Sequence, residues 1–267
     1  MKRMRGAALL WVVWILLIGT AVVSLSLQVS ASHQAYASLG RRNSQDQALA
    51  DAGMALAIAH VDPRSGWPET WLPDNRIHTL TFEGATLHLR VSDESARIDL
   101  NDAPAVLLTA YWQACGLPDR ISRPLSAAIL ARRADVNALA TPSSENRDAV
   151  HFLDYPRSWH SVAELHALPG VPQNLPHACL DDLTVYAQRS SPVPTYASPK
   201  VKAAMALQGQ GLGLEPGASS TSLYRIQVRV DPERGPSSQW FGVIRLVPFD
   251  PAGRGYRVLS WQRGDGN

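Results

Sequence analysis

The sequence predicts an α+β fold: a long N-terminal helix laid on an antiparallel sheet, with a large all-α domain inserted between the strands of that sheet. Three observations predict it. No proline occurs between residues 7 and 61. Alternation of apolar and polar residues with period two marks residues 79–91 and returns over residues 223–261, near the far end of the chain. Between those stretches the apolar period changes to about 3.6. Strand-forming sequence at both ends of the body requires a sheet assembled from both ends.

The N-terminal stretch comes first. Lys2, Arg3 and Arg5 precede Gly6, and no Lys, Arg, Asp or Glu then appears until Arg41. About 20 apolar residues cross a bilayer core, and residues 7–31 reach that length. The cationic cluster stays in the cytoplasm, which places the rest of the chain outside the inner membrane. A secretory signal cleaved after Val29-Ser30-Ala31 is the competing reading, since such signals have apolar cores of about 7–15 residues and a small-residue cleavage site. Against it, the apolar core is longer, and Leu49, Ala52, Gly53, Leu56 and Ala59 continue at the spacing of one helical face. A continuous helix over residues 7–61 would be on the order of 80 Å long, far more than a membrane needs. Its outer half must lie against protein.

Composition sets limits. A chain of 267 residues with 45% hydrophobic content can bury one or two cores beyond a membrane helix. Its formal net charge of +2 is too small to indicate nucleic acid or an acidic surface as partner. Cys115 and Cys179 face an oxidising compartment under the predicted topology; a disulfide and a pair of buried thiols both remain open.

In chain order, Asp62-Pro63-Arg64-Ser65-Gly66 breaks the helix with turn chemistry. Thr79-Leu80-Thr81-Phe82, the turn Glu83-Gly84, and residues 85–91 form a hairpin, with Leu80, Phe82, Leu87, Leu89 and Val91 on its apolar side. Residues 103–114 are helical, with Asn101 or Asp102 as cap, Pro104 in the first turn and Gly116 beyond the end. Residues 122–133 form a second helix. Ser161-Val162-Ala163-Glu164 is a capping box, followed by Leu168-Pro169-Gly170-Val171 and a short helix over residues 172–183. Ser198-Pro199 opens another, ending at Gly209. Residues 223–230, 240–247 and 256–261 are strands. The organisation is therefore residues 1–6, a helix 7–60, a first α/β part 61–97, the inserted helical domain 98–220, and closing strands 221–267.

Cations, a glycine, an uncharged helix and an amphipathic extension together resemble the start of type IV pilin-like proteins. That resemblance implies a prepilin leader cut by the prepilin peptidase between Gly6 and Ala7. The family's glutamate at the fifth mature position is replaced by Trp11. A membrane-depth carboxylate needs a partner, and in the family the amine of a neighbouring subunit supplies it. A chain with Trp11 suits a terminal place instead. Absence of that glutamate and an oversized body resemble the minor pseudopilin called protein K of the type II (general) secretion pathway. Asp93-Glu94-Ser95-Ala96-Arg97-Ile98-Asp99-Leu100-Asn101-Asp102-Ala103-Pro104 is similar to its D-E-x-G-R-I-D-L-N-T-A-P signature, departing at Ala96 and Asp102. Ser161-Val162-Ala163-Glu164-Leu165 with Leu183-Thr184-Val185-Tyr186, and the closing Tyr256-Arg257-Val258-Leu259-Ser260-Trp261, also resemble it. The family's D-W-R-D stretch is missing, with Ala131-Arg132-Arg133-Ala134-Asp135 in its place.

The resemblance implies a pilin-like fold and a tip position on the secretion pseudopilus. Its implied partners are minor pseudopilins I, J and H, the prepilin peptidase and secreted cargo. It also implies an inner-membrane anchor with the body in the periplasm. Some relatives bind structural calcium, but Asp135, Glu145, Asp148 and Asp154 are widely spaced for a cation wanting six to eight oxygens, so no ligand is assigned.

Other functions are weaker. The Leu168–Val171 pattern is that of a helix-hairpin-helix, a phosphate-gripping module in DNA-binding proteins, yet no Lys or Arg lies between Arg157 and Arg189 and Pro172 has no N–H. Nucleic acid is therefore not a partner. A signal-anchored periplasmic enzyme is the other alternative, but no nucleophile elbow, P-loop or H-E-x-x-H is present. His160 and His166 flank Glu164 but point about 120° apart on a helix. Gly209-Gln210-Gly211-Leu212-Gly213 is a linker, without the flanking strand and helix of a dinucleotide site. Asp93, Glu94, Arg97, Asp99 and Asn101 are expected to form a domain-junction motif in which Glu94 and Asp99 fix Arg97 and cap the next helix. Trp67, Trp71, Trp159 and Trp240 lie near turns, where an interface role competes with core packing.

Overall fold

The computed structural model describes residues 14, 16–17, 19–20, 40–139, 159–168, 171–172, 175–207, 222–248 and 255–264. Gly6, Ala7, Trp11, Pro169, Gly170 and the linker glycines lie outside the described residues, as does most of the apolar run; so do the side chains of Asp135, Glu145, Asp148 and Asp154. Among the described residues no helix is long and apolar enough to cross a membrane. The chain divides into two compact units, Met1–Ala52 and Gly53–Asn267.

In the first unit residues 40–52 are helical, and in the second residues 53–61 are; both stretches carry the label α1. Its buried positions are Leu49 and Ala50 in the first unit and Gly53, Ala57, Ile58, His60 and Val61 in the second, whereas Ala52, Leu56 and Ala59 of the expected stripe are only half-buried. The face is rotated because small residues set it. A Cβ on Gly53 would stand 2.7 Å from Val228 Cγ1 and 3.1 Å from Leu89 Cδ2, so the second-unit part of α1 lies backbone-close on the sheet.

That sheet has five antiparallel strands. β1 (Asp74–Phe82) and β2 (Ala85–Asp93) form the expected hairpin, longer than its alternation marked. Glu83 and Gly84 have φ of 49° and 74°, the doubly left-handed turn that matches strand twist. β5 (Leu223–Pro232), β6 (Ser238–Leu246) and β7 (Tyr256–Arg263) follow from the chain's end, and the order is β1-β2-β5-β6-β7. β2 and β5 pair from Ala85↔Pro232 to Asp93↔Tyr224, so the sheet is assembled from both ends. Leu87, Leu89, Val91, Ile226, Val228 and Val230 are buried, while Leu80 is half-buried and Phe82 is 39% exposed because β1 is an edge.

The connector between α1 and β1 is tied down twice. Arg64 donates to Asp62, Val247 O and Gly255 O at 2.9–3.0 Å. His60 stacks on Trp71, which stacks on His78, with ring centroids 4.1 and 3.9 Å apart.

Between the two strand sets lie the short strands β3 (Ile98–Asp99) and β4 (Leu183–Thr184), which pair in parallel, so residues 98–220 are not all-α as expected. The helices are α2 (Ala105–Ala114), α3 (Asp119–Leu139), α4 (His177–Leu180) and α5 (Pro199–Leu207). The helix expected over 172–183 shrinks to α4, since Pro176 cannot donate to a preceding turn. The capping box at Ser161 and Glu164 is complete, but it opens a 3-10 turn, Val162–Ala167. The expected helix-hairpin-helix thus has a 3-10 turn and a four-residue helix as its arms. These elements share one cluster, in which Leu107, Leu108, Tyr111, Trp112, Ile129 and Val201 are fully buried. Trp71, Trp159 and Trp240 are core residues; of the four tryptophans near turns, Trp67 alone is well exposed, at 47%.

Candidate functional site

The motif from Asp93 to Asn101 occupies the crossing between sheet and helical cluster. β2 ends at Asp93, whose Oδ1 accepts from Ser95 N at 2.9 Å and starts the 3-10 turn Glu94–Ala96. That turn directs Glu94 inward, where its side chain is 0% exposed. Arg225 of β5 reaches it with both prongs, Nε to Oε2 and Nη2 to Oε1, each at 2.7 Å. Thr184 Oγ1 of β4 donates to Oε1 at 2.6 Å. Arg97 Nε lies 3.0 Å from Oε2 without the alignment of a hydrogen bond, and Arg97 Nη2 donates to Ser92 Oγ at 3.0 Å. One carboxylate therefore joins the end of β2, the middle of the sheet and the strand pair of the helical part.

Electrostatics follows from that packing. Burial pushes Glu94 toward the neutral form, but the guanidinium of Arg225, then that of Arg97, and the hydrogen bonds from Arg225 and Thr184 outweigh it and hold the carboxyl below its ordinary range. Burial, then repulsion from Arg225, lower Arg97, with Glu94, Asp182 and Asp181 opposing. A buried charge of this kind holds a fold together only while its partners stay in place.

The rest of the motif differs from expectation. Arg97 is held by Glu94, while Asp99 accepts from Asn101 N at 2.7 Å and Gln188 N at 2.8 Å. Neither Asn101 nor Asp102 caps α2; Pro104 stands at its N-cap without a side-chain bond. Asn101 instead binds the backbone of Trp159, accepting from its N at 2.9 Å and donating to its O at 3.0 Å. Arg132 covers the Trp159 ring at 4.3 Å and pairs with Glu164 of the capping box. Arg133 donates to Leu100 O and Ala103 O at 2.6 and 2.7 Å. From α3, Arg133 thus braces the end of the motif directly, and Arg132 braces the Trp159 segment that Asn101 holds.

Arg225, Thr184, Arg132 and Arg133 are the residues that sequence reasoning missed. Arg225 sits in an alternating strand, where an arginine reads as solvent-facing. On the same sheet, Thr79 Oγ1, His88 and Asp231 align at 3.0 and 3.1 Å, and Asp231 is shared with Arg229 at 2.9 Å, a cross-strand polar ladder.

The structure pairs Cys115, at the end of α2, with Cys179 of α4: the sulfurs are 2.37 Å and the Cα atoms 6.2 Å apart. His160 and His166 are both exposed, and among the described residues no group of three or more His, Cys, Asp or Glu is placed to hold a metal. A groove of about 830 Å³ runs between α2 and α3, lined by Ala105, Thr109, Ala127, Leu130 and other residues, with Arg123 and Arg133 as its charged groups. Both oxygens of Glu94 are taken by the donors of Arg225 and Thr184, so its role at the crossing is structural.

This combination, one helix on an antiparallel sheet with a charged junction to a helical cluster, is a class of fold that a solved structure shares. The chain is similar in fold to one in the crystal structure of the GspK-GspI-GspJ complex from the enterotoxigenic Escherichia coli type 2 secretion system. The TM-score is 0.55 at 10% identity, and the match covers 85% of this chain and 98% of that one. No family model matches the chain. No curated protein matches it by sequence.

Proposed function

We propose that the chain is a minor pseudopilin of the protein K type, acting at the tip of a type II secretion pseudopilus in assembly and protein export. The observation that carries the reading is the fold likeness, which extends over nearly all of a chain from a pseudopilin complex. The sequence before the body supports it independently, since three cations, Gly6 and an uncharged run are what a prepilin leader and its helix need. Mechanism here is docking. Cleavage between Gly6 and Ala7 by a prepilin peptidase frees an amine, residues 7–31 hold the chain in the inner membrane, and the body stands in the periplasm. The outer part of the helix packs against companion helices of pseudopilins I, J and H. The bulk of residues 98–220, inserted between the strands, leaves no room for a subunit above and makes this chain the first in line. Trp11 is consistent with that place, because a terminal subunit has no neighbour's amine to pair with a carboxylate. Secreted cargo is the further partner, and no enzymatic step is assigned.

Two measurements test the reading. Mass analysis of the mature N-terminus is expected to give Ala7; a start at Ser32 would instead support a cleaved signal. Co-purification of the full-length chain with I and J companions is expected, and loss of all such association refutes the tip assignment.

A further inference from the structure

The link between α2 and α4 is asymmetric. Cys115 ends α2 half-buried, beside the exposed Gly116, whereas Cys179 is 0% exposed. Cys179 is also held in place: its N donates to Pro176 O at 2.8 Å and its O accepts from Tyr111 Oη at 2.5 Å. Lys200, in the first turn of α5, puts Nζ 3.4 Å from Cys179 Sγ. The nearby carboxylate of Asp182 is engaged by Ser198 Oγ at 2.8 Å and Tyr111 Oη at 3.3 Å.

We propose that Cys115–Cys179 is a site of thiol–disulfide exchange with a built-in direction, its partner a protein dithiol. The partner's thiolate attacks Sγ of Cys115, the half-buried residue of the pair, since Cys179 is fully buried. A bond forms between the partner's sulfur and Cys115, the Cys115–Cys179 bond breaks, and its electron pair leaves on Cys179 as a thiolate. The partner's second thiolate then attacks its own sulfur in the mixed disulfide, Cys115 departs and takes a proton, and two electrons have passed from partner to chain. Exchange is faster when the leaving sulfur is a stable thiolate, and a cation beside a sulfur stabilises that form. At a fully buried position a bare thiolate is strongly disfavoured. Lys200 supplies the countercharge where solvent cannot. Reversed, the same route installs the bond, with Cys179 as the resolving thiolate.

The inference rests on these three side chains and not on the assembly reading, so the two stand or fall separately. The test uses the full-length chain in detergent and reduced thioredoxin whose second active-site cysteine is replaced by serine, which traps the mixed disulfide for peptide mapping. The expected adduct is on Cys115. Lys200→Gln is expected to slow its formation roughly three- to tenfold, with Lys200→Arg restoring most of the rate. Circular dichroism of each variant confirms an unchanged fold. An adduct on Cys179, an unchanged rate in Lys200→Gln, no adduct at all, or two free thiols in the isolated chain would each overturn the proposal.

Discussion

Glu94→Gln is the most informative single change, because the side chain keeps its shape and loses only its charge. In the native chain Glu94 is 0% exposed, and its partners Arg97 and Arg225 are 13% and 17% exposed at the side chain. The variant leaves two guanidinium groups facing each other at a buried site without the carboxylate that both approach. Removing one member of a buried ionic cluster costs about 3–5 kcal/mol, and about 1 kcal/mol moves the melting temperature of a body this size by roughly 2–4 °C. A fall of roughly 6–20 °C is therefore expected, measured by circular dichroism at neutral pH. The pH dependence has a definite sign. Glu94 titrates below its ordinary value in the folded chain, so its contribution is present above the unfolded-state pKa, about 4.3 for glutamate. It is lost as pH falls through the lower folded value. The gap between wild type and variant should therefore be constant from about pH 7 to 5 and narrow in stronger acid. A loss under about 1 kcal/mol at neutral pH, where one pair of surface charges would suffice to explain it, refutes the argument that the cluster holds the crossing together.

Asn101→Ala removes both bonds to the Trp159 backbone, and the buried groups left behind cost about 2 kcal/mol; chemical denaturation followed by tryptophan emission measures it. Gly242→Ala places a Cβ 2.6 Å from Trp261 Cε3 and 3.0 Å from Ser260 O. Overpacking of about 1–3 kcal/mol should appear as a lower urea midpoint with an unchanged slope. Ser161→Ala deletes one arm of the capping box and should cost about 1 kcal/mol in the same assay.

What the residues alone made legible was everything governed by local pattern. The β1–β2 hairpin follows from alternation and a Glu83-Gly84 turn, both of which act within a few residues. The capping box at Ser161 is likewise a bond between neighbours, and the extended sheet at the chain's end declares itself by period two. Element type failed where a local preference was overridden: the helix over 172–183 lost to Pro176, and residues 98–99 and 183–184 became strands because they meet each other.

The composition of the site came from the tertiary fold. Arg225 bonds Glu94 across 131 positions in sequence, and it does so because β2 and β5 pair in a register that sets Ser92 opposite Arg225. Period-two alternation puts that arginine on a face; it does not say what lies over the face. The burial of α1 behaves the same way, since Gly53 looks weak as an apolar signal and is yet a position where Val228 and Leu89 of the sheet come closest to the backbone. Sequence by itself determined which segments bend, pair and cap, because those choices are decided by a residue and its near neighbours. Which carboxylate is buried, which sulfur is sheltered and which arginines surround them were decided only when distant segments packed, because desolvation depends on every atom that closes over a group.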